Sequence, residues 1–294
     1  MPNSSKRLVS EASLRVLVWA SLVSEILIVV TGAAVRLTGS GLGCPTWPNC
    51  TEESLITVPE MGIHGVIEFT NRLLTFVLLL IAVLTFWFAF KLNGSRKLIS
   101  TSVVLIGGIF LQAVVGGVSV LTKLNPWVVG LHFVISAGMI GVASLQLWRT
   151  YNPVITEFQP VEKRLSLGIA SFGSIAILIG IAVTGSGPHA GDADTPRNGL
   201  DTELWQHFHS YPAYITLALA IYQLVLVRKR DVDGFASRLT FWLVVCAISQ
   251  ALVGVSQARL GLPVELVLIH LTLASIFCSL LTFQVLVYRK QHNG

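Results

Sequence analysis

Long apolar stretches, each broken by a few polar residues at helical spacing, dominate the chain. Each is long enough to cross a bilayer, which takes about 20 residues. They occupy the ranges 16–37, 64–91, 98–121, 127–148, 166–185, 204–227, 237–257 and 264–287. Since hydrocarbon offers no partner for backbone N–H and C=O groups, continuous apolar stretches of this length predict helices. The pattern therefore predicts an all-α integral membrane protein with eight transmembrane helices.

The second stretch opens with a stripe of polar side chains. His64, Glu68, Asn71 and Arg72 are spaced i, i+4, i+7 and i+8, which places all four on one face of a helix. Ionisable groups within a bilayer are costly, and they usually face the interior of a bundle, where they bind a charged group or do chemistry. Three ionisable groups and an amide on one face argue against a purely structural role. The stripe is therefore a candidate functional site.

A shift of 138 positions brings this stripe onto a second one. Glu68 falls on Gln206, Asn71 on His209 and His132 on His270, and residues 112–116 (QAVVG) fall on 250–254 (QALVG). A register that holds without a gap over this distance predicts two copies of a four-helix unit. The predicted halves are residues 1–150 and 151–294.

Composition and charge fit a membrane protein. Only 12% of the residues are charged and 53% are hydrophobic, whereas a soluble domain carries about 25% charged residues. Of the 20 Lys and Arg residues, the few predicted on one side of the membrane are Lys123, Arg197 and Arg259 in loops and Arg36 and Arg72 at helix ends. The others fall on the opposite side, so the positive-inside rule predicts that both termini are cytoplasmic. The net charge of +5 is a topology signal and indicates no nucleic-acid partner.

Two cysteines lie close together in the loop after the first stretch, on the predicted outer side. Cys44 and Cys50 have five residues between them, a spacing that suits a disulfide in an oxidising compartment. A structural cross-link and a redox-active pair are both open at this stage. Cys246 and Cys278 lie within apolar stretches, where we expect packing roles.

The histidines of the two halves point to iron. In the second half, His209 and His270 fall at matching depth on two helices, and facing imidazoles in a four-helix bundle commonly hold haem iron. Zinc would need further ligands. In the first half, His132 matches His270, but Asn71 stands in place of His209 and Glu68 in place of Gln206. The pattern predicts a saturated haem in one half and a reacting porphyrin in the other.

Residues 31–45 (TGAAVRLTGSGLGCP), 67–72 (IEFTNR) and 184–192 (TGSGPHAGD) resemble the haem A synthase family, and residues 130–133 (GLHF) add support. The specific segments are the Cys-Pro loop at the end of the first and the whole of 184–192. The resemblance covers essentially the whole transmembrane chain. It implies two pseudo-symmetric four-helix bundles and the oxidation of a methyl group of haem O to the formyl group of haem A, for terminal cytochrome oxidase.

The resemblance also implies a role for each matching residue. His209 and His270 would bind a haem b cofactor in the second half. His132 would face the haem O substrate in the first half, with Glu68 as the essential acid. Cys44 and Cys50 match the cysteine pair of many family members.

The chain departs from the family at Asn71, where many members have a second histidine on the substrate side. Either His132 serves alone, which we favour, or His64 substitutes. Arg36 and Arg72, near the predicted outer boundary, could hold the haem propionates, since Arg suits paired recognition of carboxylates.

The implied setting is the plasma membrane, crossed several times, with both sites toward the outer side. Haem O and the lipid bilayer are the implied partners, and haem O synthase and cytochrome oxidase assembly factors are candidates. The sequence does not specify the electron acceptor.

Two other classes of protein share some of these features. A non-enzymatic b-type cytochrome would explain His209 and His270 but would leave Glu68 and the cysteine loop without a use. A transporter built on repeats would explain the duplication, but the halves have the same orientation and no broken helix is evident. Glu25, in the middle of the first stretch, could relay protons or be paired inside the bundle.

Overall fold

A computed structural model describes residues 4–92, 94–153, 158–230 and 234–289, with side chains from residue 10 onward. In this part of the chain the elements are eight α-helices and one short 3-10 helix, Pro59–Met61, and there is no strand. The helices are α1 (Ser4–Leu37), α2 (Gly62–Lys91), α3 (Arg96–Leu121), α4 (Pro126–Tyr151), α5 (Pro160–Ser186), α6 (Thr202–Lys229), α7 (Gly234–Arg259) and α8 (Val264–Tyr288). All eight are long and apolar enough to cross a membrane, so the predicted all-α class with eight helices of membrane-spanning length is confirmed in the described residues.

The helix ends follow ordinary sequence signals. The side chains of Ser95 and Asp201 accept hydrogen bonds from the backbone N–H three residues later, and so cap α3 and α6. Proline is the first residue of α4 and of α5, a position where its missing N–H costs nothing. Two helices, α1 and α5, begin well before their apolar stretches, because their first turns carry polar residues that hydrophobicity alone does not mark as helical.

The described chain forms two compact units. The first comprises residues 1–151 together with 184–199, and the second comprises 152–183 together with 200–294. The end of α5 and the segment that follows it, residues 184–199, thus belong with the first four helices. The assignment of the substrate to residues 1–150 and of the cofactor to 151–294, and the pseudo-symmetry of the two bundles, stay predictions.

In the first unit, α1 packs against α2 and α4, and α3 packs against α2 and α4, so the four helices form a closed bundle. In the second unit, a core of buried side chains is shared by Ile169 of α5, Leu224 of α6, Leu243 of α7 and Phe277 of α8. Of the stripe on α2, Glu68 is buried and Asn71 and Arg72 are partly buried, whereas His64 is exposed.

In each unit, two buried polar side chains away from the histidines form a hydrogen-bonded pair. The amide of Gln146 donates to the hydroxyl of Ser102 at 2.8 Å, and the amide of Gln284 donates to the side-chain oxygen of Gln223 at 2.7 Å. All four of these side chains are buried. Such pairing offsets the cost of placing polar groups in a bundle interior.

Candidate active site

The loop between α1 and α2 is closed by a disulfide between Cys44 and Cys50. Both cysteines are buried, and the predicted disulfide is confirmed. The two remaining cysteines, Cys246 and Cys278, are buried and unbonded, as expected for packing residues.

Glu68 contacts this loop directly from α2. Its Oε2 accepts a hydrogen bond from the backbone N–H of Cys44 at 2.6 Å. Its Oε1 accepts two from Arg72, one turn later on the same helix, at 2.5 Å from Nη2 and 3.1 Å from Nε. The carboxylate is buried, and hydrogen bonds that involve an ionised group are the stronger kind. Glu68 is thus fixed between the loop and its own helix.

Arg72 completes this connection. Besides Glu68, its Nη2 donates to the carbonyl of Cys44 at 2.8 Å, and its Nη1 donates to the carbonyls of Thr46 at 3.1 Å and Asn49 at 3.2 Å. A guanidinium has five N–H donors, and these contacts use all five. The role of Arg72 in holding a propionate stays a prediction, and it would require the loop to release some of these donors.

Trp47, at the tip of the disulfide loop, lies against α3. A side chain on Gly117 would overlap the indole ring, so only glycine accommodates Trp47 at this contact. The neighbouring Gly116 lies against the ring of His132, at 3.2 Å from the position of an added methyl group to Cε1. Two adjacent glycines therefore seat the disulfide loop and a candidate iron ligand side by side.

His132 lies on α4, and a side chain of α3 forms hydrogen bonds with this part of α4. The amide of Gln112 donates to the carbonyl of His132 at 3.1 Å and to the hydroxyl of Ser136 at 2.5 Å. The ring Nδ1 of His132 is buried and has no hydrogen-bond partner in the part of the chain that the structure describes. The backbone of His132 is thus anchored, while its ring is left for a ligand.

Asn71 and His64 differ in their surroundings, although both lie on the α2 stripe. The Oδ1 of Asn71 is buried and has no hydrogen-bond partner among the described residues, and its Nδ2 lies 3.9 Å from a methyl position on Gly32. His64 is exposed, and its Nδ1 is 2.9 Å from the hydroxyl of Ser40. His64 therefore contacts the loop that follows α1, and Asn71 faces the interior.

Arg36, at the C-terminal end of α1, contacts the last turn of α5. Its Nη2 donates to the carbonyl of Thr184 at 2.5 Å, and nearby the N–H of Gly41 donates to the carbonyl of Gly191 at 2.8 Å. The Nε of Arg36 is buried and unpartnered among the described residues. The sequence TGSG occurs at both 38–41 and 184–187, and each of these two bonds joins one copy to a residue near the other copy. Arg36 keeps a buried donor for an anionic group.

In the second unit, His209 of α6 and His270 of α8 face each other. Their ring centres are 6.2 Å apart and their planes are inclined by 73°. The Nδ1 of His209 is 2.8 Å from the carbonyl of Ala176 on α5, and since a carbonyl only accepts, Nδ1 carries the proton. The Nδ1 of His270 is buried without a partner in the described residues.

Comparisons with known proteins identify the family of the chain. A family model described as cytochrome oxidase assembly protein matches residues 15–199, more than half of the chain. The chain belongs to this family. The matched range holds most of α1, all of α2 to α5, the disulfide loop and the segment after α5, and it includes Glu68, His132 and Arg36.

Several proteins similar to this chain are named haem A synthase. The protein of Halalkalibacterium halodurans is 24% identical over 94% of this chain and 97% of its own length, and that of Alkalihalophilus pseudofirmus is 25% identical over 90% and 94%. The protein of Lysinibacillus sphaericus is 38% identical over 117 residues. That last match spans only 38% of the relative's own length.

The donor set of the second unit suits haem iron. An imidazole nitrogen binds a metal ion at about 2.0–2.1 Å, so two rings on opposite sides of one ion have their centres about 6 Å apart. The separation of 6.2 Å between His209 and His270 fits this requirement. In the ranges that the structure describes, no group of three or more His, Cys, Asp or Glu side chains is arranged to hold a metal ion.

Two features of the family member's site escaped the sequence patterns. One is the seat of Trp47 on Gly117, and the only signal for it was that the repeat of Gly116-Gly117 is Gly254-Val255. The other is the use of Arg72 to hold the loop. Charge and spacing mark Arg72 as functional, but they do not tell whether its partner is a ligand or the protein backbone.

Proposed function

We propose that the chain synthesises haem A with two separate haem sites, one for the substrate and one for a haem b cofactor. The observation that carries this proposal is the difference between the two units. One has a pair of facing imidazoles, His209 and His270. In the other, Asn71 stands at the position that corresponds to His209, and His132 lies close to the disulfide loop that Glu68 and Arg72 hold.

The reaction is the oxidation of a methyl group of haem O to the formyl group of haem A. Membership of the family and the full-length relatives named haem A synthase support it. The rival function, a non-enzymatic b-type cytochrome, would explain only the second unit. It gives no reason for a buried carboxylate bonded to a disulfide loop in the first.

In the second unit, His209 and His270 would hold haem b through their Nε2 atoms. When bound, a haem with two histidine ligands supplies one-electron transfer. The chain contributes the orientation of the rings, since His209 donates its Nδ1–H to the carbonyl of Ala176. Such a bond to the outer nitrogen fixes the tautomer of a ligating histidine.

In the first unit, His132 would bind the iron of haem O, and it would do so alone. The contact of His64 with Ser40 and its exposed position support this assignment, because they direct His64 to the loop rather than to the interior. Asn71 is the interior group at the position that corresponds to His209, and a side-chain amide is a poor ligand for haem iron. Arg36, with a buried and unpartnered Nε, would pair with a propionate.

Glu68 would serve the oxidation as a proton acceptor or as a charge that stabilises a cationic intermediate. Converting a methyl to a formyl group takes two successive two-electron oxidations, and protons must leave the carbon. An ionised carboxylate has about four acceptor sites, and three are occupied by Cys44 and Arg72. One site therefore remains for the substrate.

The two sites would lie toward the outer side of the plasma membrane, with both termini in the cytoplasm. The distribution of Lys and Arg between the two ends of the helices supports this orientation. The disulfide between Cys44 and Cys50 also supports it, since disulfides persist in oxidising compartments. Haem O synthase and cytochrome oxidase assembly factors remain the candidate protein partners.

The test is production of haem A in a bacterial host that makes haem O but lacks its own haem A synthase. We expect haems extracted from cells with the wild-type chain to include haem A by chromatography and mass spectrometry. A His132→Ala variant should leave haem O unconverted while keeping haem b. If the wild type binds haem b and haem O stays unconverted, the function is that of a cytochrome.

A further inference from the structure

The ring of His209 reaches the backbone of a neighbouring helix at a glycine. Its Nδ1 donates to the carbonyl of Ala176, and Gly180, one turn later on α5, lies beside the ring. A methyl group on Gly180 would lie 2.9 Å from Cε1 and 3.1 Å from Nδ1 of His209. These distances are shorter than ordinary van der Waals contact, so an alanine here would push the ring away from the carbonyl.

We propose that Gly180 is a positioning residue for the haem b site, and that its missing side chain is what lets His209 bond to the carbonyl of Ala176. The proposal rests on the proposed assignment of His209 and His270 as axial ligands. It makes His209 the fixed ligand of the pair. It also makes His209 the more electron-donating ligand, since a hydrogen bond from the outer nitrogen raises the basicity of a ligating imidazole.

His270 supplies the contrast within the same unit. It also lies beside a glycine, with 3.3 Å from a methyl position on Gly254 to its Cε1. However, its Nδ1 is buried without a hydrogen-bond partner among the described residues. Each ring therefore has space beside a glycine, but of these two rings only that of His209 forms a hydrogen bond to the backbone. The two axial ligands are inequivalent.

The hydrogen bond from His209 to Ala176 should affect the reduction potential of the haem. A more basic imidazole favours the ferric state, so the bond to Ala176 lowers the potential of the haem. Losing this bond should raise the potential and free the ring to rotate from its inclination of 73° to the ring of His270. The electron paramagnetic resonance spectrum of a haem with two histidine ligands depends on the angle between the two ring planes.

The test compares Gly180→Ala with Gly168→Ala in the purified, haem-loaded full-length chain. Gly168 lies on the same helix, and its methyl position meets only the flexible end of Leu219 at 3.3 Å. For Gly180→Ala we expect a more positive midpoint potential, a changed resonance spectrum and about 10–100-fold weaker retention of haem, as for loss of other groups that orient ligands. Gly168→Ala should match the wild type in all three.

A Gly180→Ala protein with the wild-type potential and spectrum would overturn the inference while leaving the haem site in place. A wild-type protein without a low-spin haem held by two histidines would instead refute the proposed function. If Gly180→Ala does not accumulate, pulsed double resonance on the wild type with ¹⁵N-labelled histidine decides. Two inequivalent Nδ1–H groups are expected, and two identical ones would contradict the proposal.

Discussion

The guanidinium of Arg72 and the carboxylate of Glu68 form a two-donor contact within one turn of α2, at 2.5 and 3.1 Å to the same oxygen. Both side chains also form hydrogen bonds with the backbone of Cys44. Glu68 accepts one from its N–H, and Arg72 donates one to its carbonyl. The pair therefore holds the beginning of the disulfide loop. A change at either residue affects the chemistry of the carboxylate and the position of the loop together.

Glu68→Gln should reduce haem A synthesis by about 10²–10⁴-fold, the usual contribution of a proton-transferring group. A glutamine fits the bundle, since Gln206 stands at the repeated position, and its side-chain oxygen can still accept from Cys44. Haem O should accumulate while haem b binding persists. Chromatography of extracted haems measures the first effect, and the absorption spectrum of the purified protein measures the second.

The control for this prediction is the loop itself. Hydrogen exchange of residues 44–50 in Glu68→Gln reports whether the loop has moved. Lost activity with unchanged exchange assigns the effect to the carboxylate. Haem A at the wild-type level would exclude a chemical role for Glu68 and restore the cytochrome interpretation.

The helices were predictable because a bilayer imposes simple requirements. A spanning helix needs length and continuous apolarity, and the sequence displays both at all eight positions. Helix ends were less predictable, since α1 and α5 begin with polar turns that precede their apolar stretches. In these first turns the backbone is helical, but the residues show no periodic pattern of apolar positions that would predict a helix.

The candidate site was predictable where it depends on residues at fixed helical spacing. Glu68 and Arg72 were placed on one face by their separation along the chain, and they are in contact. The contacts that cross between a loop and a helix, such as Trp47 on Gly117, were not predictable. They depend on the path of the loop, which no periodicity encodes. The attachment of residues 184–199 to the first unit is of the same kind.

Gly117→Ala should displace the disulfide loop, because the added methyl group would overlap the indole of Trp47. Overpacking of this kind costs about 1–3 kcal/mol, and here the loop can move to relieve it. We expect faster hydrogen exchange at residues 44–50 and reduced haem A synthesis. Gly107→Ala, on the same helix with open space at the methyl position, should match the wild type. Equal exchange in the two variants would show that Trp47 does not anchor the loop.

Cys44 and Cys50 should be protected from alkylation in protein denatured without reductant, because they are bonded to each other. Cys246 and Cys278 should be labelled under the same conditions, since both are free and only burial protects them in the folded state. Mass spectrometry after addition of reductant should show four labelled cysteines. Labelling of Cys44 or Cys50 before reduction would contradict the structure of the loop.

His209→Ala and His270→Ala should each abolish the low-spin spectrum of haem b, because each variant removes one of two axial ligands. His207→Ala is the matched control, since His207 lies two residues from His209 on α6 but is exposed. That variant should keep the wild-type haem content. An unchanged low-spin spectrum in either ligand variant would show that the haem is held elsewhere.

The ligation of the substrate can be tested with His64→Ala and Asn71→His. If His132 alone binds the iron of haem O, His64→Ala should leave the spectrum of bound haem O unchanged, since His64 is exposed and contacts Ser40. Asn71→His adds an imidazole at the position that corresponds to His209, beside Gly32, whose methyl position is 3.9 Å from Asn71. The helix face and the nearby glycine therefore leave room for a ring.

Asn71→His should shift bound haem O from a five-coordinate to a six-coordinate low-spin spectrum, because the added imidazole supplies a second axial ligand. The measurement is best made in a Glu68→Gln background, in which the substrate stays unconverted. The haem b signal from the second unit is subtracted using protein prepared without haem O. If protein that keeps Asn71 already shows a six-coordinate low-spin spectrum, and His64→Ala loses it, then His64 is the second ligand. That result would refute ligation by His132 alone, whereas an unchanged spectrum in His64→Ala together with the shift in Asn71→His would support it.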